Sequence, residues 1–280
     1  MTPTIVAAVL VSALMHAVWN SLAHAVSDRL VGFALIGAVD SIGGGVMALT
    51  AGPPNASGWP FIIASAALHV AYNLLLLASY QLGEFSQMYP LARGTSPWLV
   101  AVISVMVLGN KLPATQLAGI LAISGGLIAL VLVGGRPRRS DLPALSAAVL
   151  TGVMIAAYTV VDGVGVARTP LLAYIGWMFF LQGPPIAVIA VLRRRGGRLG
   201  PALRASASAG ITGGVISLGA YAIVLWAQTS GALAAIAALR ETSIVFGALI
   251  GAVFLGERLG PRRVVAAAVV LVGVLLIGVT

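Results

Sequence analysis

Along this chain, long apolar runs alternate with short connectors that carry charge or helix breakers. Ten runs reach the roughly 20 residues that a helix needs to cross a bilayer. They lie near positions 3–24, 31–51, 59–80, 86–108, 113–133, 142–161, 170–192, 204–228, 231–255 and 261–279. The connectors GPPNASG, GGRPRRSD, RRRGGRLGP and GERLGPRR separate several of them. No connector is longer than about 12 residues, so no soluble domain hangs off the bundle.

One run breaks the pattern. Tyr89–Pro97 reads YPLARGTSP and puts an arginine, two prolines and a glycine inside an apolar segment. Each is costly in lipid, where neither a lone charge nor a freed backbone group finds water. Such residues are expected to face a cavity or a protein partner. Pro97 would free the carbonyl of Arg93 from its helical bond. Arg93 lies about seven residues into its run, ~10 Å from that end at 1.5 Å per residue.

Composition then fixes the class. The 280 residues are 60% hydrophobic and 8% charged, with a mean hydropathy of +1.06. A soluble domain is closer to about 25% charged, so this is an integral, all-α membrane protein with the lipid bilayer as its partner. The net charge of +9 sits in short loops between apolar runs and does not indicate a nucleic-acid partner. The absence of cysteine excludes disulfide, thiolate and iron–sulfur chemistry. Met1–Ala25 ends in Ala23-His24-Ala25, an A-x-A pattern, but lacks a positive leading region and is interrupted by His16, Trp19 and Asn20. It is expected to remain as a mature helix.

The arginines orient the bundle. With ten spans, the loops after spans 1, 3, 5, 7 and 9 share one side. That side holds Arg29, Arg136, Arg138, Arg139, Arg193, Arg194, Arg195, Arg198, Arg204, Arg258, Arg262 and Arg263, against Lys111 and Arg168 on the other. Twelve against two is a strong positive-inside bias. It places the first set in the cytoplasm of a prokaryotic inner (plasma) membrane and both termini in the periplasm. Arg93 and Arg240 are left over, and both fall within spans.

Those two arginines expose an internal repeat. RGTSPWLVAVISVMVLGNKLP (Arg93–Pro113) aligns without a gap on RETSIVFGALIGAVFLGERLG (Arg240–Gly260) at an offset of 147, sharing R-x-T-S and L-G-x-[KR]-L. Ala71-Tyr72 matches Ala220-Tyr221 at 149. The unit holds five helices, an odd number, so the copies should be inverted in the membrane. The first repeat covers 1–133, a basic linker 134–141, and the second repeat 142–280. Inverted repeats are the architecture of secondary transporters, with the binding site between the halves near the midplane. Spans 1, 3 and 4 should face 6, 8 and 9 across a central cavity, with spans 5 and 10 packed away from it and span 2 peripheral.

The closing stretch LGERLGPRRVVAAAVVLVGVLLIGV resembles the last helix hairpin of the EamA-type proteins of the drug/metabolite transporter superfamily. YPLARGTSPWLVAVISVMVLGNKLP resembles its counterpart in the first repeat. The resemblance covers the whole chain as two five-helix repeats, and in general character it is to the bacterial amino-acid exporters. It implies export of small metabolites. The first copy departs from the pattern with Gly-Asn-Lys where Gly-Glu-Arg is common.

Candidate site residues follow from polar and aromatic groups at membrane depth. His16, Trp19 and Asn20 in span 1 are echoed by His69, Tyr72 and Asn73 in span 3. Spacing of i, i+3, i+4 puts each trio on one helix face. Such groups either hydrogen-bond across packed helices or line a substrate path. Asn20, Tyr72, Tyr89 and Arg93 are assigned to the substrate's polar head, with Trp19 lining the same path. Tyr158, Trp177 and Tyr221 are assigned to its apolar part, and Arg240 to the same path from the opposite face. An arginine fork matches a carboxylate. Two readings stay open for each arginine: Arg93 lines the path or pairs with carbonyls or Glu84, and Arg240 lines the path or else pairs with Glu241 or snorkels to the interface. Trp59 and Trp98 read as interfacial anchors.

No cofactor or metal is expected. The two histidines come without a clear third ligand and without an H-E-x-x-H pattern, and there is no phosphate-binding GxxxxGK[ST] loop. Asp40, Asp162 and Glu241 are the carboxyls at or near membrane depth, with Asp162 expected at a helix end and none dominating as a coupling group. An enzyme would need a nucleophile–base set or metal ligands, and none is evident. The reading is therefore a monomeric secondary transporter that exports small metabolites, amino acids foremost, by alternating access. The alternatives are a carrier of other metabolites or drugs, a channel, and a non-transporting scaffold.

The charge count yields a direct test. An alkaline phosphatase fused after Thr280 should be active, because it would lie in the periplasm. A reporter that needs the cytoplasm and works at that position overturns the orientation.

Overall fold

The computed structural model describes residues 1–26, 28–82, 85–133, 139–193, 199–254 and 260–278. Residues 134–138 of the expected linker, together with Glu84, Arg194, Arg195, Arg198 and Arg258, lie outside the described residues. The described chain is helical throughout, with no strand. The helices are α1 (Pro3–Ala25), α2 (Arg29–Ala51), α3 (Trp59–Leu82), α4 (Phe85–Met106), α5 (Ala114–Val133) and α6 (Leu142–Val166). They continue as α7 (Leu171–Arg193), α8 (Leu199–Gln228), α9 (Leu233–Arg240), α10 (Ser243–Phe254) and α11 (Pro261–Gly278).

Seven helical stretches are long and apolar enough to cross a membrane by length and composition, with α9 and the first part of α10 counting as one, Leu233–Ile250. The chain is thus a multi-pass membrane protein. The described α5 and α11 contribute shorter apolar stretches, Ala114–Ala129 and Val264–Gly278. The first half of α4, FSQMYPLARGTSP, dilutes that helix with polar groups. Large apolar side chains such as Leu49, Ile42, Met106 and Leu275 point outward, while Asp40, Arg93, Asp162, Gln182, Arg240 and Glu241 are buried. That distribution reverses the soluble pattern and suits a lipid surround.

The helices pair across the two halves of the chain. Close neighbours are α2 with α7, α3 with α6, α1 with α8, and α5 with α11, and α4 lies against α5, α6 and α9. In lipid no hydrophobic force drives helices together, so close contact needs small residues. The α2–α7 seam has them, with Gly37 and Gly44 on one helix meeting Gly183 and Gly176 on the other. A Cβ added to Gly44 would sit 2.6 Å from the Phe180 nitrogen and 2.8 Å from the Gly176 oxygen. Those are backbone atoms and cannot swing aside. The α5–α11 seam is similar, because a Cβ on Gly119 would lie 2.6 Å from the carbonyl oxygen of Gly273.

The expected ninth span, 231–255, is interrupted after Arg240 and restarts at Ser243. No proline or glycine stands at Arg240–Ser243, so the cause is tertiary. The Arg93 guanidinium enters the helical ladder at this point. Its Nη2 donates to the Arg240 carbonyl at 3.3 Å and to Ser243 Oγ at 3.0 Å, and its Nε lies 2.7 Å from Glu241 Oε2. This last contact is an ion pair with the N–H off the line to the oxygen. A side chain inserted into the ladder is a recognised cause of helix breaks. On its own helix, Arg93 follows the expectation set by Pro97. Its freed carbonyl accepts from Ser96 Oγ at 3.4 Å, and α4 runs on through both prolines.

Two outcomes follow. Gly44→Ala should force α2 from α7 and cost about 1–3 kcal/mol, seen as a lower melting temperature in detergent. Gly125→Ala, where an added Cβ meets nothing within 4 Å, is the control; equal melting would mean the seam is loose. Separately, Arg93→Met leaves Glu241 as an uncompensated buried carboxyl and should destabilise by about 3–5 kcal/mol. Adding Glu241→Gln should restore much of the loss, and failure to do so would mean that the pair does not carry the joint.

Candidate functional site

The paired helices enclose a cavity of about 70 Å³ walled by α1, α2, α3, α6, α7, α8 and α9. That is room for several waters or one small head group. Neither α5 nor α11 contributes to its lining. Of the site residues expected from sequence, Trp19, Tyr72, Tyr158, Tyr221 and Arg240 are brought together on its wall.

An aromatic cluster forms most of one side. His69 stacks on Tyr158 with centroids 3.9 Å apart and meets Tyr221 edge-on at 5.1 Å. Tyr72 and Tyr221 approach Tyr158 edge-on at 5.7 and 5.9 Å, and Phe179 meets Tyr221 at 6.1 Å. Edge-to-face packing lets rings hold one another while leaving apolar faces for a guest. On α1, Trp19 Nε1 donates to His16 Nδ1 at 3.2 Å, as their spacing of three residues permits. The indole only donates, so Nδ1 is the acceptor. His16 Nε2 then has no partner among the described residues.

Asp162 fixes the cluster from behind. It is fully buried, accepts from Tyr174 at 2.8 Å on Oδ1, and accepts from Tyr221 on Oδ2. Asp162 sits one turn inside the end of α6, which runs to Val166. Because its hydroxyl is engaged there, Tyr221 offers the cavity its ring. The Arg240 guanidinium carbon lies 5.1 Å from that ring's centroid, a cation–π geometry. Arg240 is 5% exposed, and its Nη1 has no hydrogen-bond partner among the described residues.

The remaining expected residues lie elsewhere. Arg93 is 2% exposed, held at the α9–α10 break, with its guanidinium carbon 5.9 Å from the Tyr89 ring; neither lines the cavity. Asn20 Nδ2 donates to the His16 carbonyl at 2.9 Å, while Asn73, its echo on α3, does line the cavity. Trp177 packs on Trp59 and Phe180 and donates to the Gly52 carbonyl at 3.1 Å. The opposite wall holds residues outside the expected substrate site, of which Asp40 was noted only as a carboxyl at membrane depth. Helix α2, expected to be peripheral, carries Phe33, Ile36 and Asp40 into the lining, and α7 brings Gln182. Matching seven-residue glycine spacings, Gly37/Gly44 and Gly176/Gly183, were the sequence signal that α2 and α7 are buried against each other. Among the described residues no group of three His, Asp or Glu could hold a metal ion.

No curated protein sequence matches the chain. A solved structure titled "Crystal structure of protein" superposes with a TM-score of 0.78 over 99% of each chain at 18% identity, so the two share a fold. The half that carries Tyr158, Asp162, Tyr221 and Arg240, residues 142–279, matches the EamA-like transporter family, which supports the drug/metabolite transporter superfamily and a membrane transporter of small molecules.

Proposed function

We propose that the protein is a secondary carrier that exports small metabolites, amino acids foremost, by alternating access across a prokaryotic inner membrane. The observation that carries this reading is the central cavity, where an aromatic wall faces a buried arginine with an unpaired Nη1. Arg240 is held against the Tyr221 ring yet keeps Nη1 without a hydrogen bond among the described residues, and a buried intramembrane charge with a donor to spare is a functional group by default. A guanidinium fork fits a carboxylate, and the rings of Tyr72, Tyr158 and Tyr221 fit an apolar side chain. In this reading Arg240 holds the carboxylate, and Trp19 closes the wall beside His16. Arg93 and Tyr89 hold the α9–α10 joint under Arg240, and Asn20 and Trp177 brace the helices behind the wall.

The pairing of helices supports two inverted repeats. Arg93 reaches the carbonyl of Arg240, its own counterpart 147 residues on, and a residue meeting its counterpart is what an axis between two copies requires. Pairs such as α2 with α7 and α5 with α11 fit the same axis. The two-residue break between α9 and α10 is the discontinuous helix that such carriers use beside their sites. Movement about it would carry Arg240 between the two faces while the glycine seam of α2 and α7 stays shut.

Counterflow in liposomes distinguishes the classes. With the wild-type chain, trapped unlabelled amino acid should accelerate uptake of the labelled form; a channel gives no acceleration, and a scaffold moves nothing. Losing a charge-assisted contact costs ~1.5–3 kcal/mol, a roughly ten- to hundred-fold loss of affinity. Arg240→Gln should lose that much for carboxylated substrates. Arg240→Lys should recover only part, since a point charge does not reproduce the fork. Wild-type affinity in Arg240→Gln would move the carboxylate site elsewhere.

A further inference from the structure

The cavity has a second polar pole that faces α2 and α7. Three carboxyls lie within the described spans, and two are engaged. Asp162 is filled by two tyrosine hydroxyls, and Glu241 faces Arg93. Asp40 differs. It is 6% exposed, it lines the cavity, and its Oδ1 has no hydrogen-bond partner among the described residues. Gln182, also 6% exposed and in the lining, likewise leaves Oε1 without a partner. Next to it, Pro184 and Pro185 lie inside α7 and remove the N–H groups that would bond the carbonyls of Phe180 and Leu181. This turn therefore adds backbone acceptors to those of Asp40 and Gln182. Acceptors left unpaired away from water are costly, and a ligand that donates several hydrogen bonds would satisfy them.

The geometry points to a cation subsite at Asp40 and Gln182 that takes the protonated amine of the substrate. It rests on the transporter reading above and narrows its substrate class to zwitterions, with the ammonium on the α2–α7 wall and the carboxylate at Arg240. An ammonium donates three hydrogen bonds from a compact point charge, which suits a carboxyl oxygen and an amide oxygen on the lining of one cavity. The other titratable groups on the lining are His16, His69 and Arg240, alongside the tyrosines. None supplies a fixed donor to Asp40 Oδ1.

Three probes separate the poles: L-leucine, 4-methylpentanoate, which lacks the amine, and 3-methylbutylamine, which lacks the carboxylate. Binding is measured on the purified full chain by thermal shift and by competition. Asp40→Asn should weaken leucine and the amine by about tenfold or more and leave 4-methylpentanoate within about twofold. Gln182→Leu, which keeps the carboxyl, should move the same way, and Arg240→Gln should give the mirror image. If Asp40→Asn fails to fold, Gln182→Leu carries the test. Unchanged leucine and amine affinity in these variants overturns the subsite, and so does an equal loss for all three probes. It is also overturned if Asp40→Asn keeps leucine affinity and removes only the dependence of counterflow on a proton or sodium gradient, since Asp40 would then hold an inorganic cation or a proton. If the wild-type chain exchanges none of the twenty amino acids, the transporter reading for that class falls first. If it exchanges leucine and the variants match it, only the cation subsite falls.

Discussion

Within a bilayer, a backbone carbonyl that leaves its helical bond has no water to turn to, and this constraint organises the α4–α9 joint. Arg93 alone meets three groups there: the Arg240 carbonyl, Ser243 Oγ and the Glu241 carboxyl. The break between α9 and α10 could not persist without a donor at that carbonyl, and Arg93 would be an uncompensated charge without Glu241. Each defect cures the other. The result fixes where α9 ends and therefore where the Arg240 side chain enters the cavity.

The two sides of the cavity differ mechanically for the same kind of reason. The α2–α7 wall is closed by glycines in backbone contact, so small displacements meet steep repulsion. The α9 wall ends in a two-residue turn held by polar contacts that can be exchanged. Asp40 thus stands on the rigid wall and Arg240 on the adjustable one. A substrate that touches both would couple its binding to the position of α9, which is what alternating access needs from its ligand.

Much of this was legible in the sequence, and the gaps have physical causes. The apolar runs set the spans, because the bilayer imposes one length on every crossing. Alignment of R-x-T-S at Arg93 and Arg240 picked out the segments that meet in space. The break at Glu241 was not legible, since RETS contains no breaker and the cause lies 147 residues away. The depth of α2 was missed because apolar composition does not tell a lipid-facing helix from a core one. Its glycines did tell, once paired with those of α7. Trp177 and Asn20 were picked as polar or aromatic groups at depth, yet their hydrogen bonds fasten α7 to the Gly52 carbonyl at the end of α2 and close a turn within α1. Residue type alone does not separate a wall from its bracing.

The two arginines show how a repeat can divide labour. They occupy equivalent positions, and the residue that follows each decides its fate. In the second copy it is Glu241, which supplies the carboxyl that Arg93 takes. In the first copy it is Gly94, packed so closely on α5 that a Cβ would lie 3.0 Å from that of Leu127 and 3.2 Å from the carbonyl oxygen of Ser124. A carboxylate side chain there would force α5 to give way. The second copy thus supplies one acid, engaged with Arg93, and tight packing on α5 disfavours its equivalent in the first copy. The unmatched partner is Arg240, whose Nη1 is left without a protein acceptor among the described residues. A single glycine in the first repeat thus distinguishes the two arginines, leaving the second without the neighbouring acid that holds the first.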